Sequence, residues 1–259
     1  MFNKILVVYS DKKTKNHIET VENVKRILVK REMDFNFVGL HSLKEGDFES
    51  IDLVISVGGD GTFVRAANFI KDQLIVGINS DPETSEGMLK SLLANEFEKL
   101  NKIFDGEYKI IQRERAKVLL NGKEVKELVV NAVFVGAESQ FHCARYIINF
   151  DNKKEEQRSS GVLVSTGSGS TGWFKSAGGE VFKYDEKKLK FIVREQYIGD
   201  RLFCPKIFSG DIVEGKSIEI ISMRDYGGVV AVDDSVYKLK KGDKVEVCLS
   251  SEPLKVIVL

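Results

Sequence analysis

Residues 54–70 read VISVGGDGTFVRAANFI, and the fold turns on how this stretch is parsed. Leu53–Val57 is an apolar run of strand length, Gly58-Gly59-Asp60-Gly61-Thr62 has turn composition, and Phe63–Ile70 has helical spacing. A strand that meets a helix through glycines makes a place for an anion, because the glycine amides and the positive end of the helix dipole face the same point. The two common nucleotide motifs do not fit, since no Gly-Lys-Ser/Thr follows and the third glycine of the dinucleotide fingerprint is missing. Asp60 is the anomaly, because a carboxylate beside phosphate oxygens is unfavourable unless the site needs it. Two readings stay open. In one the loop is a tight turn and Asp60 caps the following helix. In the other the amides hold a triphosphate while Asp60 takes the proton of a hydroxyl acceptor or helps to hold magnesium.

The flanking sequence alternates between short apolar runs and amphipathic segments. Lys4–Tyr9, Phe35–Val38, Leu53–Val57 and Leu74–Ile78 read as strands. Thr14–Arg31 reads as a helix burying Ile18, Val21, Val24, Ile27 and Leu28, and Phe63–Ile70 and Ser91–Phe104 read as two more. Strands separated by helices give a parallel sheet whose ligands sit at the carboxyl ends of the strands. After Gly106 the pattern changes to short runs joined by tight turns, with Asn121-Gly122, Tyr226-Gly227-Gly228 and Lys241-Gly242-Asp243 as turn signals. The expectation is an α/β N-terminal domain over residues 1–102 and a β-rich, antiparallel, sandwich-like C-terminal domain over 103–259, with the C-terminal end a candidate to pack back on the first domain.

Composition narrows the classes of function. The 259 residues are 42% hydrophobic, and 39 basic residues balance 39 acidic ones, so no global field supports nucleic-acid or anionic-membrane binding. Cys143, Cys204 and Cys248 form no metal-ligand pattern with the three histidines, and they are expected to be reduced and buried or half-buried. MFNKILVVYS runs into a charged helical pattern and lacks the length and flanks of a signal peptide or membrane span. A soluble protein of the cytoplasm is the expectation.

A second constellation lies at GVLVSTGSGSTGWF, residues 161–174. Ser165, Thr166, Ser168, Ser170 and Thr171 offer hydroxyls suited to ribose and phosphate, and Gly167, Gly169 and Gly172 let backbone approach a ligand. A Gly/Ser linker is the competing reading, against which stand Trp173 and the apolar run before the loop. VVNAVFVG sets Asn131 inside an apolar strand, where its amide must find partners. Asp233-Asp234 follows GGVVAV and reads as an acidic hairpin turn or as a ribose or cation contact. His142 has no visible partner and is read as structural.

VGGDGT, VVNAVFVG, STGSGSTGW and AVDDS, in this order and at these separations, resemble the NAD kinase family over nearly the whole chain. GINSDPETSEGML, residues 77–89, together with RSSGVLVSTGSGSTGW, is most similar to the mitochondrial and plant NAD(H) kinase branch. The resemblance implies transfer of the γ-phosphate of ATP to the 2′-hydroxyl of the adenosine ribose of NAD or NADH, with a divalent cation, magnesium, and no protein residue assigned to the metal. It implies that Gly58, Gly59, Gly61, Thr62 and Arg65 lie at the donor phosphates and that Asp60 is the base. It further implies that Asn131 contacts the adenosine, that Ser160, Ser168, Thr171, Gly172, Trp173 and Ser176 line the dinucleotide pocket, and that Asp233 approaches the nicotinamide-side ribose. A pocket between the domains and a homodimer or tetramer whose neighbouring subunits complete the site follow from the same likeness.

Two positions depart from the family pattern. Ala132 stands where a glutamate usually follows the asparagine, and Ser160 stands where many members carry aspartate. Ala132 motivates the alternative of a catalytically weak dinucleotide-binding or sensing protein. A lipid kinase also carries GGDGT but is expected to continue with Asn-Glu, where this chain reads FVRAANFI. A sugar kinase of the phosphofructokinase type is expected to add Thr-x-Asp-x-Asp, which is absent.

Overall fold

The computed structural model describes residues 2–89, 91–139 and 141–259. The chain forms two compact units, Met1–Gln112 with Leu254–Leu259, and Arg113–Pro253.

In the first unit β1 (Lys4–Tyr9), β2 (Asp34–Gly39), β3 (Leu53–Gly58), β4 (Leu74–Asn79), the two-residue β5 (Leu92–Leu93) and β6 (Lys109–Arg113) join the last strand, Leu254–Val258, in one sheet. β1 pairs in parallel with β2 and β3, β3 with β4, and β4 with Leu254–Val258. β3 is buried at every residue, the pattern of a parallel strand covered on both faces. The division between units falls after Gln112, later than residue 102, because β6 still lies in this sheet beside Leu254–Val258.

Helix α1 (Lys15–Lys30) buries His17, Thr20, Val24 and Leu28, which repeat at three- and four-residue steps and so share one face. Val21 and Ile27 flank that face and pack partly against the core, whereas Ile18 is 52% exposed and not part of it. At 100° per residue Ile18 lies a quarter turn or more from the centre of the stripe. The expected helix over 91–104 is also broken up. Leu92–Leu93 pairs with β4, a 3-10 turn covers Ala94–Lys99, and only α3 (Leu100–Phe104) is α-helical. Extended Leu93 donates its N–H to Glu96, which starts the turn three residues late.

The second unit is a sandwich of two antiparallel sheets. Its strands are β7 (Ala116–Leu120), β8 (Lys123–Glu124), β9 (Ala132–Ala137), β10 (Ala144–Phe150), β11 (Lys153–Ser159), β12 (Gly161–Ser165), β13 (Lys188–Arg194), β14 (Ser209–Val213), β15 (Ser217–Ser222), β16 (Gly228–Val232), β17 (Ser235–Leu239) and β18 (Lys244–Leu249). One sheet runs β11-β10-β15-β18-β7-β8 and the other β14-β13-β12-β9-β16-β17. Alternate residues of each point into one core, in which Ile148, Ile218, Ile220 and Val247 of the first sheet meet Val133, Val162, Phe191 and Val230 of the second. Asn121 and Gly122 both have positive φ, 52° and 77°, and close the β7–β8 hairpin with the backbone twist such a turn needs. Cys143 and Cys204 are exposed and Cys248 is half-buried, so the expected burial fails for the first two, which lie in loops.

Candidate functional site

The first unit brings one constellation together at the carboxyl ends of its parallel strands. The order β2-β1-β3-β4 places the reversal of strand order between β1 and β3, where a sheet of this type opens a crevice. Three segments meet there: residues 10–14 after β1, the glycine turn after β3, and residues 80–89 after β4.

Helix α2 spans Asp60–Ala67 and not Phe63–Ile70, with Gly59 in the capping position and Asp60 as first helical residue. The turn therefore winds into the helix three residues early, and Thr62 N–H already bonds to Gly59 C=O at 3.0 Å. Gly58 is required by close approach, since a Cβ there would lie 2.3 Å from Thr62 Oγ1 and 2.9 Å from Thr62 Cβ. Gly61 is exposed with open space before its Cα, and Arg65, half-buried in the last turn, leaves its Nε without a hydrogen-bond partner among the described residues.

Asp60 does not cap its own helix. Its carboxylate instead accepts the backbone N–H of Met88 at 3.0 Å and of Leu89 at 3.0 Å, so residues 80–89 are folded back onto the glycine turn. Buried Asn79 helps, donating its Nδ2 to Ser85 C=O at 2.9 Å. The other end of the segment is fixed from the β1 loop. Lys12 Nζ donates to Asp81 at 3.1 Å and to Thr84 Oγ1 at 2.8 Å, and Thr84 donates to Asp81 at 2.6 Å. The Thr84 hydroxyl and the Lys12 ammonium hold the Asp81 carboxyl below its ordinary range. His17 is buried between Ser10 C=O and Ser80 Oγ, each 2.7 Å from a ring nitrogen, and burial lowers its pKa. Sequence reasoning missed Lys12, His17, Asp81 and Thr84. The available signal was SDKKT directly after a buried parallel strand, where the sheet's ligand edge must lie.

The second unit gathers the other expected residues around the Ser/Thr/Gly loop. Three of its five hydroxyls turn inward. Ser165, Thr166 and Ser170 are fully buried, and they hold the loop to Val130, Asn131, Gly167 and Phe182 backbone. That is the reverse of a flexible linker, and it leaves fewer hydroxyls outward than the composition suggests. Ser168, nearly buried, accepts a hydrogen bond from Arg113 at 3.2 Å, while Thr171, Gly172 and Trp173 face solvent. Ser176 ends the short helix α4 (Trp173–Ser176) and donates to Gly172 C=O.

Asn131 lies just before β9, not inside it, and is exposed. Its C=O accepts Thr166 N–H, and its side-chain amide makes no hydrogen bond among the described residues. Gly169 presses on it so closely that a Cβ would sit 2.0 Å from Asn131 O. Asp233 forms the β16–β17 turn at φ 47° and accepts three backbone N–H groups, from Val130, Asn131 and Ala132, at 3.1–3.2 Å. Burial pushes its carboxyl up to about 7 against those three donors. Glu127, also missed, anchors the same segment by accepting the hydroxyls of Ser235 and Tyr237. Ala132 pairs with Ser165 across β9 and β12. Ser160 donates its N–H to Arg194 C=O, and the Arg194 guanidinium stacks over Trp173, which also packs on Phe134. Asn131, Gly169 and Asp233 thus converge on one segment, Ser168 is held by Arg113, and Ser160 and Trp173 are joined through Arg194. Among the described residues no group of three or more His, Cys, Asp or Glu side chains fits a metal cage.

No protein-family model matches the chain. The parallel α/β unit with its Gly-Gly-Asp-Gly-Thr turn and the antiparallel sandwich with its Ser/Thr/Gly loop define a fold of two units, α/β and β-sandwich. The NAD kinase from Archaeoglobus fulgidus in complex with ATP has the same fold, with a TM-score of 0.76 at 23% identity over 98% of this chain and 92% of that one. The chain is 28% identical to the probable NADH kinase of Oryza sativa subsp. japonica over 99% of its own length and 86% of the relative's. It is 29% identical to the mitochondrial NAD kinase 2 of Homo sapiens, over 64% of its own length and 48% of the human protein. The chain is thus similar in sequence to NAD and NADH kinases over most of its length, and shares its fold with solved NAD kinases.

Proposed function

We propose that the chain transfers the γ-phosphate of ATP to the 2′-hydroxyl of the adenosine ribose of NAD or NADH. The observation that carries this reading is the setting of Asp60, an acid at a helix start beside glycine amides, whose two oxygens are aimed by Met88 and Leu89 N–H rather than spent on a cap. In the reaction the 2′ oxygen forms a bond to the γ-phosphorus while the bond from that phosphorus to the β–γ bridging oxygen breaks. ADP leaves, and the hydroxyl proton passes to Asp60 and then to solvent.

Gly58, Gly59, Gly61 and Thr62 receive the donor phosphates in this reading, with Arg65 as a nearby cation. The outward groups of the second unit, the Asn131 amide, Thr171, Gly172 and Trp173, recognise the dinucleotide, with Ser160 and Ser176 at its margin. Inward-facing Ser168 and Asp233 shape the loop that carries them. A magnesium ion would arrive as a passenger of the triphosphate, held by the phosphate oxygens, with no protein residue assigned to it and Asp60 left free as the base. When bound it screens phosphate charge. The free thiols of Cys143 and Cys204 support a reducing compartment such as the cytoplasm. Exposed Tyr197, Ile198, Leu202 and Phe208 support a homodimer or tetramer.

The test is a coupled assay of purified protein crossing NAD and NADH with ATP, a second nucleoside triphosphate and polyphosphate. Steady NADP or NADPH formation from ATP supports the reading. Tight dinucleotide binding without turnover supports instead a sensing protein, the alternative raised by Ala132.

A further inference from the structure

The glycine turn carries a carboxylate but no cation that meets the charge of a triphosphate head-on, since Arg65 sits a turn and a half down α2. The loop after β1 supplies one. Ser10 touches the turn, its Cβ 3.2 Å from where a side chain on Gly58 would begin, and its N–H bonds to Val57 C=O. Two residues on, Lys12 crosses to Asp81 and Thr84. Thr84 is followed by Ser85, whose Oγ lies 3.0 Å from where a Cβ on Gly59 would be. The Lys12 ammonium therefore rests one residue from the group that touches the centre of the glycine turn, at the switch between β1 and β3.

We propose that Lys12 is a donor-phosphate residue whose ammonium is parked on Asp81 and Thr84 until the triphosphate arrives. This rests on the proposed kinase reading and deepens it by naming the cation that binds the donor. The parking is physically reasonable on both sides. Asp81 is almost fully buried and needs a partner, while the lysine side chain is about a third exposed and its four-carbon stem can swing to a nearby oxygen. His17, wedged between Ser10 and Ser80, fixes the two loops so that the swing is a side-chain movement only. The competing account is a structural pin, in which Lys12 does no more than tie one loop to the other. The two accounts differ in what happens when Asp81 is changed.

The experiment measures a non-hydrolysable ATP analogue by calorimetry, and KM for ATP and NAD separately, on Lys12→Met, Lys12→Gln, Lys12→Arg and Asp81→Asn. One charged contact to phosphate is worth about tenfold to a hundredfold in affinity. The expected result is analogue binding and KM for ATP weaker by that factor in Lys12→Met and Lys12→Gln, with KM for NAD within about twofold and Lys12→Arg largely restored. Asp81→Asn, which loosens the parking place but keeps its shape, should bind the analogue as tightly as the parent or more tightly. Analogue binding within about twofold of the parent in Lys12→Met overturns the proposal, and so does Asp81→Asn weakening as much as Lys12→Met. Because the analogue is read without NAD, absence of NADP formation in the parent protein would sink the kinase reading while leaving the lysine measurable.

Discussion

Replacing Asp60 with Asn removes a charge and one of two acceptor oxygens. Asp60 now satisfies Met88 and Leu89 N–H at 3.0 Å each. An asparagine keeps its oxygen toward one of them and turns an NH2 toward the other, so one charge-assisted bond is lost and two donors face each other. The local cost is about 1.5–3 kcal/mol, which raises opening of residues 80–89 by about tenfold to a hundredfold. The chemical cost is separate. Loss of a positioned base lowers kcat by about 10²–10⁴, or roughly 2.7–5.4 kcal/mol of transition-state stabilisation. Two measurements divide these effects: kcat and KM for NAD by coupled assay, and hydrogen exchange at the amides of Met88 and Leu89. The reasoning predicts a large fall in kcat, little change in KM for NAD, and faster exchange at both amides. A fall in kcat below about tenfold refutes the base assignment, and unchanged exchange refutes the clamp.

Three further outcomes follow from packing and charge. Gly169→Ala places a methyl 2.0 Å from Asn131 O, a backbone atom that cannot step aside, and should cost about 1–3 kcal/mol or more by thermal melting, whereas Gly61→Ala, with open space before it, should leave stability unchanged or slightly raised. Thr171→Val should weaken dinucleotide binding by about 1–3 kcal/mol, and unchanged calorimetry would remove the loop from the site. His17 has a lowered pKa in the folded state, so the unfolded chain takes up a proton first as pH falls. Its contribution to stability is present above the unfolded value of 6.5 and is lost below it, with a limiting slope of about 1.4 kcal/mol per pH unit. Denaturant titrations at pH 7.5 and 5.5 should show this slope in the parent and not in His17→Gln; equal slopes would contradict it.

The regular parts of the fold were readable because period and burial agree. The strands Lys4–Tyr9 and Leu53–Gly58 are continuous apolar runs, and a parallel sheet buries such runs whole. Asn121-Gly122 was readable because only such residues tolerate the required φ. Ser91–Phe104 was misread because helical spacing of apolar residues also suits a strand pair followed by a 3-10 turn once β4 offers its edge. Ile18 was misplaced because a polar residue, His17, takes the buried position with tertiary partners that no helical period can announce. In the site, composition revealed the loop at 165–172 but not the direction of its hydroxyls. Ser165, Thr166 and Ser170 are consumed by backbone carbonyls far away in sequence. Lys12 and Asp81 are separated by 69 residues, and only the sheet brings them within reach.

The strand Leu254–Val258 completes the sheet of the unit that the chain starts, through Val256 beside Ile75 and Ser91 Oγ donating to Ile257 C=O. During synthesis the ribosome therefore releases the whole sandwich before the earlier sheet can be finished. Until then part of the β4 edge stays uncovered, the kind of surface on which nascent chains stick to one another. Cutting after Pro253 should leave the sandwich able to form and the first unit dependent on chaperones or insoluble.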